Sequence, residues 1–161
     1  MGFRRFALIG SLGGVAMLSG LATLTAPMTA PTMAQSCTPL EVVGGEGTDV
    51  TKIVSPIGTF IFINTNWDTD FAVPGNSSYT SFVVTMLPEE GEVYDIDVYY
   101  KYSDGTADQV YSAAGAVLTE GEVLRIAEPD RVNDNPFQVN VRVGGTAAEG
   151  NRYTISVQGC R

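Results

Sequence analysis

"VYDIDVYYKYSDGT", residues 93–106, decides how this chain folds. Tyr94, Ile96, Val98, Tyr100 and Tyr102 occupy every second position, with Asp95, Asp97, Tyr99 and Lys101 between them. Successive side chains of an extended strand point to opposite faces, so this alternation predicts one buried face and one wet face. Asp104-Gly105 closes the run with a strong hairpin signal, because both central positions of that turn need positive φ. "ADQVYS", residues 107–112, then reads as the returning strand.

The same period recurs downstream. In "PFQVNVRV", Phe137, Val139, Val141 and Val143 point one way, and Gln138, Asn140 and Arg142 the other. In "RYTISVQ", Tyr153, Ile155 and Val157 are the inward set, against Arg152, Thr154, Ser156 and Gln158. The intervening "GGTAAEGN" is long enough for a hairpin connection. Weaker strand candidates are "EVV" (41–43), "VTKIV" (50–54), "TFIFIN" (59–64), "YTSFVVTML" (79–87), "AVL" (116–118) and "EVLRIA" (122–127), the last two flanking a "TEGE" turn. Pro56, Pro74, Pro88, Pro129 and Pro136 all fall between runs, where proline removes no ladder hydrogen bond. Helical spacing of apolar residues is almost absent, and the recurrent Gly, Thr, Ser, Asn and Asp favour turns and strands. The prediction is an all-β, antiparallel β-sandwich of roughly eight to ten strands.

Residues 1–34 read as an export signal. Arg4 and Arg5 precede an apolar, small-residue run from Phe6 to about Ala26, and "PTMA" ends the segment with Thr32 and Ala34 at the small-residue cleavage positions. The alternative is an uncleaved membrane anchor, since the apolar run reaches spanning length. Cleavage after Ala34 leaves residues 35–161 as a single domain of 127 residues, secreted or periplasmic. It removes two arginines and no acid, leaving 7 basic against 18 acidic side chains, a net of −11. Such a surface repels nucleic acid and anionic membrane.

Cys37 and Cys160, at the two ends of the mature chain, are the only cysteines. In an exported protein they most simply form one disulfide. Closing so long a loop contributes up to roughly 4–5 kcal/mol by the chain-entropy argument. Acylation at Cys37 is the rival, but Ala34, Gln35 and Ser36 fit a lipoprotein signal poorly and Cys160 would be stranded.

Asp95-Ile96-Asp97-Val98-Tyr99, the strand from Phe137 to Val143, then Gly150 and Tyr153 to Val157 together resemble the bacterial pre-peptidase C-terminal domains, over about residues 79–158. The resemblance implies a small, jelly-roll-like sandwich that is exported and in some members binds calcium or extracellular polymer. Members are usually appended to secreted peptidases. This chain carries no peptidase and adds about forty residues before the matched region.

"FINTNWDTDF", residues 62–71, sets Asn64, Asn66, Asp68 and Asp70 at alternate positions. Residues two apart on a strand stand ~6.6 Å apart, so these four cannot all reach one ion unless the segment curls. The EF-hand pattern is absent, lacking its glycine and its glutamate. A loop calcium site using Asp68 and Asp70 with Glu128, Asp130 and Asp134 is one reading, since hard cations favour oxygen clusters; turn and solvent residues are the simpler one. No cofactor is otherwise implied. Trp67, Tyr99 and Tyr111 alternate away from the predicted inner faces, and exposed rings can stack on sugars. Partial burial is the plainer account of them. Asp95 and Asp97 on one strand do not supply the facing carboxylates of a glycosidase.

Catalysis is poorly provided for. Histidine is absent, which excludes a Ser-His-acid triad and imidazole metal sites. Both cysteines are expected in a disulfide, leaving no thiol nucleophile. The expected function is therefore a non-catalytic binding or structural module, calcium-assisted or not, contacting extracellular or envelope polymer or protein. Carbohydrate recognition through exposed aromatics is the second reading, and a small hydrolase with an acidic pair the third.

Overall fold

A computed structural model describes residues 35–56, 68–132 and 134–161. The expected signal at 1–34, the candidate strand at 59–64, and Asn64, Asn66 and Trp67 lie outside the described residues.

Ten strands and no helix occur among the described residues: β1 (Cys37–Pro39), β2 (Glu41–Val42), β3 (Asp49–Ile53), β4 (Asp68–Ala72), β5 (Ser81–Pro88), β6 (Glu92–Lys101), β7 (Ala107–Leu118), β8 (Leu124–Pro129), β9 (Gln138–Gly144) and β10 (Arg152–Cys160). They form two antiparallel sheets. The first runs β1-β10-β5-β8, with β3 also pairing β10; the second runs β2-β4-β9-β6-β7. The predicted jelly-roll-like sandwich is what the chain builds.

The alternation in β6 has the expected result. Tyr94, Ile96, Val98, Tyr100 and Tyr102 are each at most 1% exposed. They meet Phe82, Val84 and Met86 of β5, Tyr153, Ile155 and Val157 of β10, and Val139, Val141 and Val143 of β9 in one core. Each large apolar side chain so buried contributes about 1.5–3 kcal/mol. The predicted disulfide is present: Cys37 and Cys160 are bonded, 123 residues apart in sequence, and are register partners between β1 and β10.

Four local expectations fail, each for a physical reason. Phe137 is 48% exposed, because it precedes β9 and engages its backbone in loop bonds to Val73 and Lys101. The segment 116–118 is not a separate strand but the end of the twelve-residue β7. The 144–151 connection is no hairpin, since β9 and β10 lie in different sheets; its turns bond Ala148 to Gly145 and Asn151 to Ala148. Finally, two bulges interrupt the β6–β7 ladder, between Tyr94 and Ile96 and between Val98 and Tyr99. A bulge puts two residues opposite one and reverses the facing of the residues beyond it. Tyr111, opposite Val98, is thereby packed against the core rather than turned outward.

The β6–β7 hairpin forms, but Gly105 N–H donates to Tyr102 O (3.1 Å), so Ser103 and Asp104 are the central residues of its turn and Gly105 follows them. Tyr102 N–H donates to Thr106 O (2.9 Å), Asp104 Oδ1 accepts from Thr106 N–H (2.8 Å), and Gly105 takes φ 85°. That left-handed backbone is open to glycine at little cost.

Candidate functional site

The outward set of the second sheet forms a polar face built by cross-strand register. In one row Asp70 of β4, Asn140 of β9, Tyr99 of β6 and Gln109 of β7 are successive partners. In the next row stand Asp68, Arg142, Asp97 and Ser112. Directly opposed residues on one face of a sheet bring their Cβ atoms to about 4.5–5.5 Å, so these side chains are in mutual reach.

Tyr99 sits half-buried near the middle of this face. Two hydrogen-bonded groups flank it. On the β9–β4 side, Asp70 Oδ1 accepts from Lys101 Nζ at 2.7 Å and from Asn140 Nδ2 at 2.9 Å. On the β7 side, Asp97 Oδ1 accepts from Gln109 Nε2 at 2.9 Å and Ser112 Oγ at 2.7 Å. These bonds fix the polar side chains around the tyrosine before anything binds, which lowers the ordering cost of recognition. A cleft of about 350 Å³ opens beside them, lined by Asp95, Asp97, Ser112, Ala114, Arg142 and Gly145. The first bulge shapes its rim: Gly115, at φ 78°, donates its N–H to Asp95 Oδ1 at 2.8 Å. Gly145 at φ 113° lies so close to β6 that a Cβ would stand 3.1 Å from the Asp95 nitrogen.

A larger cleft of about 560 Å³ lies at one end of the sandwich, lined in part by Ser77, Ser78, Tyr79, Asp130, Arg131 and Asn135. Its polar groups are turned on one another. Arg131 grips Asp108 with Nε and Nη2, both at 2.7 Å, and its guanidinium carbon stands 3.7 Å above the Tyr102 ring. Asp130 Oδ1 accepts from the Tyr102 hydroxyl at 3.0 Å and from the Arg131 backbone at 2.7 Å. Asn135 clasps the Tyr79 backbone, accepting its N–H at 3.1 Å and donating to its carbonyl at 2.7 Å. The Arg131 guanidinium holds the Asp108 carboxyl below its ordinary value, while burial first, then the Asp130 carboxylate, pushes the Tyr102 phenol up. This network clamps a loop to the core and engages Arg131, Asp130 and Asn135, while the buried Ser77 Oγ has no hydrogen-bond partner among the described residues.

The five acids proposed for calcium are divided between these two places. Asp68 and Asp70 stand on the outer face of the second sheet, where Asp70 is paired with Lys101. Asp130 and Asp134 belong to the end network, Asp134 Oδ2 lying 3.6 Å from Arg131 Nη1. Glu128 lies on β8, where its carbonyl accepts the Tyr100 hydroxyl at 2.9 Å. Among the described residues no three His, Cys, Asp or Glu side chains gather as a metal would require. Of the three aromatics expected to face outward, Tyr99 does, Tyr111 packs inward, and Trp67 lies outside the described residues. Sequence reasoning did not anticipate Asn140, Gln109 and Arg142 around Tyr99. Their only signal was their outward parity, which says nothing about which strands are neighbours.

No family model matches the chain, and no curated protein matches it. Solved structures similar to it include family 29 carbohydrate-binding modules. One, a mutant complexed with mannohexaose, gives a TM-score of 0.45 at 9% identity, covering 79% of this chain and 79% of that one. A second, a mutant complexed with cellulohexaose, gives 0.43 at 12% identity over 80% of this chain and 92% of that one. A third mutant gives 0.37 at 12% identity, and this chain spans 61% of its length.

Proposed function

We propose that this protein is an exported, non-catalytic glycan-binding module that uses the outer face of the second sheet. The observation that carries the reading is Tyr99, a half-buried ring on an open face, held between the Lys101–Asp70–Asn140 and Gln109–Asp97–Ser112 groups. Sugar rings present apolar C–H faces edged by hydroxyls. An aromatic ring supplies the stacking surface, and fixed amides and carboxylates supply partners for the hydroxyls. The disulfide and the signal-like residues 1–34 fit export. Asp97 and Asp95 share one strand and one face, so they are suited to binding and not to flanking a scissile bond.

The experiment is a glycan array on the intact protein, followed by titration calorimetry on any hit. Tyr99→Ala is expected to weaken binding at least about tenfold, the order of a lost aromatic contact worth 0.5–1.5 kcal/mol plus its buried area. Binding that persists undiminished in Tyr99→Ala, or an array without a hit, refutes the reading. Chelator is expected to leave affinity unchanged, since stacking on Tyr99 and hydrogen bonds to the fixed amides and carboxylates require no cation.

A further inference from the structure

The charge carried by the Tyr99 face separates the polymers it can accept. Its described residues bring five carboxylates, Glu41, Asp68, Asp70, Asp95 and Asp97, and two cations, Lys101 and Arg142, with Lys52 Nζ at its edge 2.7 Å from the Asp68 carbonyl. Each cation stands beside an acid. Lys101 Nζ is 2.7 Å from Asp70 Oδ1, and Arg142 is the cross-strand neighbour of Asp68 on one side and Asp97 on the other. Asp95 and Asp97 line the 350 Å³ cleft together with Arg142, two acids against one cation, and Asp97 stands two residues before Tyr99 on the same strand face. A ligand entering there meets an excess of hydrogen-bond acceptors, to which sugar hydroxyls can donate. A uronate or sulfate group would instead be set against fixed like charge, and like-charge juxtaposition opposes association. The charge of the whole strengthens the effect: residues 35–161 carry a net of −11, so an approaching polyanion is repelled before contact.

From this, resting on the glycan-binding reading, we infer that the Tyr99 face takes uncharged glycan chains and excludes polyanionic ones bearing carboxylate or sulfate. The discrimination is made by Asp95 and Asp97 at the cleft, with the remaining acids adding a longer-range field. Because the field is screened by salt, its range falls from about 30 Å at 0.01 M to about 8 Å at 0.15 M ionic strength.

Polymers that share a backbone and differ in charge test this directly. Intact protein is titrated with hydroxyethyl cellulose against carboxymethyl cellulose, dextran against dextran sulfate, and methyl-esterified against de-esterified pectin. Each pair is run at the two ionic strengths just given. The expected result is that, for a backbone that binds, the uncharged member binds at least about tenfold more tightly at low salt. The gap narrows at the higher salt, and it narrows again in the Asp95→Asn/Asp97→Asn variant, whose amides keep an oxygen acceptor for Gly115, Gln109 and Ser112. Equal or tighter binding of the anionic member overturns the inference and leaves the glycan-binding reading standing. Binding of no member overturns both.

Discussion

Four of the core tyrosines are at most 1% exposed, and their hydroxyls make a series in which one member is expected to behave in the opposite sense. Tyr94 donates to the Glu90 carbonyl at 2.8 Å, Tyr100 to the Glu128 carbonyl at 2.9 Å, and Tyr102 to Asp130 Oδ1 at 3.0 Å. The Tyr153 hydroxyl is buried and has no partner among the described residues. Burial above all, and the charge of Asp68 after it, push its ionisation up, so it is a neutral phenol throughout the working pH range. Tyrosine to phenylalanine at the first three sites removes a net part-buried hydrogen bond, costing about 1–2 kcal/mol each. At Tyr153 the same change removes an uncompensated desolvation penalty and should stabilise by about 1 kcal/mol. With about 2.1 cal/mol/K of unfolding entropy per residue, a domain of this size moves its Tm by about 4 °C per kcal/mol. Thermal and urea unfolding of the four single variants should therefore show three decreases of about 4–8 °C and one increase of about 4 °C. A fall in Tyr153→Phe as large as in the others means that its hydroxyl is bonded, to a trapped water for instance, and the reasoning fails.

Two further outcomes concern the covalent and ionic closures. Replacing Cys37 and Cys160 together by serine releases a loop of 123 residues' separation; the denatured chain gains entropy worth at most about 5 kcal/mol, so Tm should fall by up to about 15–20 °C. A fall under about 5 °C would show that the β1–β10 pairing already holds the ends. Asp108 is held below its ordinary pKa by Arg131, so its contribution is complete above the unfolded value near pH 4 and is lost as pH falls through the lower folded value. Asp108→Asn should accordingly be less stable than the parent at pH 7 in urea titrations, with the difference closing below about pH 4; a difference that widens on acidification contradicts the assignment.

The strands were legible where both faces obeyed one rule. In β6 the inward positions from Tyr94 to Tyr100 are all buried, and so are the three valines of β9, although Asn140 between them is buried as well. Legibility ended where geometry depends on a partner. Nothing in Tyr111 itself signals a bulge across from Val98, yet that bulge decides which way its ring turns. Likewise "PFQVNVRV" and "RYTISVQ" look like two arms of a hairpin, because period-two patterning records that a face is buried and not which sheet covers it. The candidate site shared this fate. Tyr99 was identifiable by parity, while its neighbours Asn140 and Gln109 come from strands some forty and ten residues away, aligned only by register. The partners of the acids were hidden from the sequence for a related reason. Asp70, Asp108 and Asp130 are engaged by Lys101, Arg131 and Tyr102, three donors supplied by other parts of the chain.

The order in which the strands are made bears on how the molecule can assemble. β10 lies in the interior of the first sheet, between β5 on one side and β1 with β3 on the other, yet it is the last of the ten to be synthesised. A growing polypeptide thus offers β1 and β3 no template in their own sheet. Until β10 emerges, the oily side of β6 and β9 has only β5 and β8 to rest against. Folding consequently waits for that strand, is governed by long-range pairing, and is slow on the scale of helical proteins. Deleting β10 should not shorten the protein so much as prevent it from forming.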